Sequence, residues 1–181
     1  MKGLHELFVQ ELHLLYDGEK QIVEMLPGII DAASSKRLKE ALGEHLEETK
    51  KQVRRLEVIF KELHQSFSEM RSQVMESLLK EAGKVIQSDY EASVKDVALI
   101  NCIQHIEHFE IASYGILKSL AKDFNYDNIY NLLDESSDEE GLANKTLTKI
   151  AEGNLLCKGV NTKASETEEL SNTPTCPPNC S

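Results

Sequence analysis

One carboxylate constrains the fold of this chain more than any other residue. Between about Ser93 and Asp123, Leu99, Ile103, Ile106, Tyr114, Leu117 and Ala121 recur at helical spacing. Glu110 stands in the middle of that apolar stripe, and Glu107 lies one turn earlier on its edge. Burying a lone ionised carboxylate costs on the order of several kcal/mol even after its surroundings relax. A helix that turns this stripe inward therefore needs a compensating group from elsewhere in the chain.

The same intrusion recurs in three other helical patterns. From Leu4 to about Ala33 the apolar residues Leu4, Leu7, Phe8, Leu12, Leu15, Ile22, Leu26 and Ile29 predict one long helix, kinked or restarted near Pro27-Gly28. Glu19 falls near its centre, close to Tyr16. Ala32-Ala33-Ser34-Ser35 reads as a tight turn, with Ser34 or Ser35 capping a second helix that runs to about His64. Its stripe is Leu38, Leu42, Leu46, Thr49, Val53, Leu56, Phe60 and Leu63, edged by a polar row of His45, Glu48 and Gln52. The short turn makes the first two helices an antiparallel hairpin. Two breaks, Gln65–Glu69 and Gln87–Glu91, flank a shorter amphipathic segment around Val74–Ile86, a length suited to a crossover rather than a hairpin. Ser93 with Asp96 reads as the cap of the third long helix. A fourth runs from about Asn128 to Glu152, its stripe of Ile129, Leu133, Ser136, Ala143, Leu147 and Ile150 interrupted by Glu140, with Asn144 one turn later.

Composition agrees with an all-α fold. There is no Trp, and Gly and Pro are sparse before residue 153. The 181 residues suit one domain, and the formal net charge of -11 argues against nucleic acid and against an anionic membrane surface as partners. No apolar run is long enough to span a bilayer, and the first residues run straight into an amphipathic pattern without a leader, so a cytoplasmic location is expected. Three of the four cysteines, Cys157, Cys176 and Cys180, follow Gly153, so the body is no disulfide scaffold. Residues 1–153 are expected to form the domain. Residues 154–181, poor in large apolar side chains, are expected to form a disordered tail whose Cys176 and Cys180 are incidental.

The inward polar groups now fall on all four long helices: Glu19, then His45 and Glu48, then Glu107 and Glu110, then Glu140. Carboxylates converging inside a bundle repel one another, and bound cations resolve that. Carboxylate and imidazole suit iron or manganese and would also accept zinc. Dimetal sites of this kind draw Glu from two helices and Glu-x-x-His from two others. Here the second helix offers the reverse order, His45-x-x-Glu48, and the third offers Glu107-x-x-Glu110.

Three segments carry a more specific likeness. Glu6–Leu12 continuing into Leu15-Tyr16-Asp17-Gly18-Glu19-Lys20-Gln21, then Glu44–Thr49 with Gln52, then Glu107–Tyr114, resemble the YciE/YciF family of bacterial ferritin-like stress proteins over about residues 3–152. The resemblance implies a ferritin-like four-helix bundle with a short extra helix in the crossover, a homodimer, a dimetal site and a link to stress responses. The first functional reading is that two iron or manganese ions held there would react with oxygen or peroxide. Helix four departs from the pattern, carrying Asn144 where an acid is expected and Gly141. A non-catalytic helical stress protein, acting through dimerisation or a protein partner, is the alternative, and a zinc-stabilised bundle is a weaker third reading.

Overall fold

Each amphipathic pattern forms a helix. A computed structural model describes residues 3–154 and 157–171. In order these are α1 (Leu4–Ala32), α2 (Lys36–Glu62), α3 (Gln73–Ile86), α4 (Ala92–Asp123), α5 (Asp127–Glu152) and α6 (Val160–Ser171). A two-residue antiparallel pairing of β1 (Gly153–Asn154) with β2 (Cys157–Lys158) joins α5 to α6. Pro27 lies inside α1, which continues through it to Ala32.

Helices α1, α2, α4 and α5 make the bundle. The α1–α2 turn brings Ser34 onto Asp96 near the start of α4, while Phe8 near the start of α1 meets Phe124 at the end of α4. Thus α1 runs antiparallel to both α2 and α4. Asn128 at the start of α5 donates to Glu62 at the end of α2, so that pair is antiparallel too. The crossover through α3, packed on α1 and α4, returns the chain from one end of the bundle to the other.

The core is divided. One apolar cluster gathers Ile22, Leu26, Ile29, Leu38, Leu42, Leu99, Ile103, Ile106, Leu147 and Ile150; the other gathers Phe8, Leu12, Leu15, Leu56, Phe60, Tyr114, Leu117, Ile129 and Leu133. Buried polar residues, among them Glu19, His45, Gln52, Glu107, Glu110 and Glu140, occupy the register between them on every bundle helix.

Two expectations are corrected. Asp96 does not cap its own helix, which begins at Ala92 after Glu91. It is buried, and it accepts from the Ser34 and Ser35 backbone N–H groups (2.7 and 2.8 Å) and from Ser34 Oγ (2.6 Å). From across the bundle it thus satisfies donors at the start of α2, where Ser35 Oγ is the local cap.

The tail expected from residue 154 is the second. Residues 160–171 form α6, which packs on α4 and α5, and Val160 is buried in the first apolar cluster. Glycine makes the return: Gly153 takes φ 80°, and Gly159 lies so close to the end of α5 that an added Cβ would sit 2.2 Å from the Ala151 carbonyl. Residues 172–181, with Cys176 and Cys180, lie outside the described residues.

Two measurements check this reading. Asp96→Ala strands two backbone donors and is expected to lower stability by about 2–3 kcal/mol, read from the urea midpoint. Burying Val160 is worth about 1.5–3 kcal/mol, so removing residues 159–181 is expected to lower the thermal midpoint by about 5 °C. An unchanged midpoint would show that α6 adds nothing to the core.

Candidate metal centre

Four side chains from three helices converge at the polar layer. His45 on α2, Glu107 and Glu110 on α4, and Glu140 on α5 each place one donor atom within 4.8 Å of those of the others. All four are buried, and His45 Nε2 lies 3.3 Å from Glu107 Oε1. Glu19 on α1, also fully buried, completes the layer: its Oε1 accepts from the Tyr114 hydroxyl at 2.5 Å, and it lies within hydrogen-bonding reach of Glu110.

Of the six ligands read from the sequence, Glu48 alone stands apart from the layer. It is half-buried at the mouth of a pocket whose floor is His45 and Glu107. The neighbours sort themselves. Gln52 donates to Glu140 and, at 3.1 Å, to Glu139 Oε2, so it orients carboxylates and leaves its own Oε1 without a hydrogen bond. The Asn144 carbonyl accepts from Gln104 at 3.1 Å, which turns it to an α4–α5 contact. Tyr16 bonds Glu57 (3.1 Å), and Lys20 lies over the Tyr16 ring, away from the layer. His105 and His108 are exposed.

Sequence reading found neither Arg55 nor Glu139. Arg55 Nη1 and Nη2 hold Glu139 at 2.6 and 2.8 Å and pair with Glu135. Arg55 follows Gln52 by three residues and so continues the polar row of α2, which is the signal that could have revealed it.

Burial dominates the electrostatics. Desolvation, then the facing carboxylates, pushes Glu19, Glu107 and Glu110 well above the usual carboxyl range. Glu140 is pushed up to about 7 by burial, moderated by hydrogen bonds to Glu107 and Gln52. His45 is lowered to about 4, again by burial. Apart from their contacts with one another, both oxygens of Glu107 and Glu110, one each of Glu19 and Glu140, and both His45 ring nitrogens lack a hydrogen-bond partner. Buried polar atoms are seldom left so. Carboxylate oxygens and a neutral imidazole are the donors that iron, manganese or zinc accept, so these residues fit a metal ion.

Bundle, crossover and interior carboxylate layer together define a ferritin-like helical protein with a candidate metal centre. The chain belongs to the family described as domain of unknown function DUF892, whose pattern matches residues 3–165 and so includes the start of α6. It is 37% identical over 162 residues to Protein YciF of Escherichia coli K12, covering 89% of this chain and 98% of that protein. The crystal structure of the E. coli stress protein YciF aligns with a TM-score of 0.82 at 36% identity, over 87% of this chain and 100% of that one. YcfI from Rhodopseudomonas palustris aligns at 0.80 with 35% identity, over 83% of this chain and 96% of that one. The family read from the three motif segments is therefore the family found. Among the described residues, no helix is long and apolar enough to cross a membrane.

The shifts set a pH dependence for the metal-free protein. A carboxyl held above its ordinary value of 4.5 contributes stability at low pH that is lost as pH rises through its folded value. His45 acts oppositely: its contribution is present above its ordinary 6.5 and lost as pH falls toward about 4. Above pH 6.5 the contribution of His45 is complete, while the buried carboxyls go on losing theirs. The thermal midpoint of metal-free protein is therefore expected to fall between pH 6.5 and 8.5, and a bound divalent cation, which needs the ionised acids, is expected to reverse the slope. A flat profile in both states would contradict the shared burial of these carboxyls.

Proposed function

We propose that this protein is a ferritin-like, metal-binding stress protein whose bundle interior holds two iron or manganese ions. The observation that carries this reading is the set of orphaned donors on Glu19, His45, Glu107, Glu110 and Glu140. His45, Glu107, Glu110 and Glu140 would hold one ion, and Glu19 with Glu110 would contribute to the second. When bound, such ions supply Lewis-acid and redox chemistry toward oxygen or peroxide. The chain's own residues do the rest. Tyr114 fixes one oxygen of Glu19, Gln52 fixes one oxygen of Glu140, and the two apolar clusters cover the layer towards both ends of the bundle. The link to stress comes from the relative YciF, whose structure is that of a stress protein.

One observation favours a second, non-catalytic reading. Asn144 is engaged with Gln104, so α5 brings only Glu140 to the cluster. The acids would then be neutralised by protons, and the protein would act through a partner or a second copy.

Anaerobic reconstitution with ferrous iron, followed by elemental analysis, tests the choice. About two irons per chain and an oxygen-dependent absorbance change are expected. Glu110→Ala is expected to lose at least one of them. Unchanged stoichiometry in that variant would overturn the placement, and a folded wild-type protein that takes up no metal would leave the second reading standing.

A further inference from the structure

Between α2 and α5 the surface opens into a pocket of about 60 Å³, room for a few water molecules. Its acidic wall descends in steps. Glu44 is exposed, Glu48 one turn later is half-buried, and the floor is His45 and Glu107, 4% and 0% exposed. Apart from their contacts with each other and with Glu140, the Glu107 oxygens and His45 ring nitrogens are without a hydrogen-bond partner, so unpaired ligand atoms line an opening that reaches solvent. Leu42, Ala143 and Leu147 line much of the remaining wall and give a cation no other polar group of comparable charge to bind.

We infer that this pocket is the passage by which divalent cations reach the buried layer, with Glu48 as the carboxylate that takes them from solvent and passes them to Glu107 and His45. The inference rests on the metal-centre reading above. Glu48 suits the role because of what separates it from the layer. It keeps contact with water, so it can replace part of a cation's hydration without trapping the ion, while the acidic mouth raises the local cation concentration.

Cobalt(II), whose visible absorbance reports ligation, serves as the probe in stopped-flow loading of the metal-free full chain. Glu48→Gln keeps the shape and removes the charge. Ala143→Leu fills the passage. Each is expected to slow loading about tenfold while leaving the final cobalt stoichiometry unchanged. Raising the salt concentration is expected to slow the wild type more than Glu48→Gln, a difference that a purely structural effect of the substitution would not produce. Glu48→Gln, at a half-exposed position, keeps the test decisive where Ala143→Leu disturbs packing. Wild-type loading rates in both variants would overturn the passage while leaving the metal centre intact. Lost stoichiometry in Glu48→Gln would overturn it also, by making Glu48 a ligand. A wild-type chain that takes up no cobalt would overturn the passage and the metal centre together.

Discussion

The cost of dehydrating several carboxylates in one place governs this structure. Glu19, Glu107, Glu110 and Glu140 are all fully buried, and each raises the cost of ionising the next. The fold tolerates this because the polar layer is thin and both of its faces are apolar. On each bundle helix the layer is flanked by residues of the two clusters, as Leu15 and Ile22 flank Glu19 and Leu133 and Leu147 flank Glu140. Those clusters provide the drive to assemble, while hydrogen bonds hold the acids in register. Tyr114 fixes Glu19, Gln52 fixes Glu140, and Arg55 anchors Glu139 so that Gln52 bridges two adjacent acids of α5.

A residue that breaks an apolar stripe is conspicuous, and for that reason Glu19, Glu110 and Glu140 were legible in the sequence. Residues at the edge of a stripe were not equally so. His45-x-x-Glu48 and Glu107-x-x-Glu110 have the same spacing, yet both members of the second pair are buried and only His45 of the first. The difference lies in coverage. Helix α4 is packed by α1, α3, α5 and α6, so its buried arc is wide; α2 packs chiefly on α1 and α5, so its arc is narrow and Glu48 falls at its rim. Spacing along one helix cannot report how many neighbours surround it. Glu139 reads as an outward acid for a similar reason, since what draws it inward is Arg55 on another helix.

Asp96 and α6 show the same limit on a larger scale. Ser93 and Asp96 satisfy a local capping rule, but Asp96 is used across the bundle by a turn some sixty residues earlier in the chain. Helix α6 has few large apolar residues and no strong stripe, and it is placed by Val160 and by the backbone approach that Gly159 allows. Neither leaves a periodic trace. Gly153 reads as the end of the domain and everything beyond it as a tail until the end of α5 is known to lie against Gly159.

Asn144 acquires a meaning once the layer is counted by charge. Its carbonyl accepts from Gln104, closing the α4–α5 side with neutral groups, while the α2–α5 side stays acidic and open. The layer itself then holds four buried carboxylates and one imidazole whose low pKa keeps it neutral. Four negative charges match two divalent cations without remainder. An acid at 144 turned inward would add a fifth charge that two such ions could not neutralise, and burying that excess would cost on the order of several kcal/mol. On the metal-centre reading, the amide that departs from the expected pattern is therefore what lets two ions leave the interior uncharged.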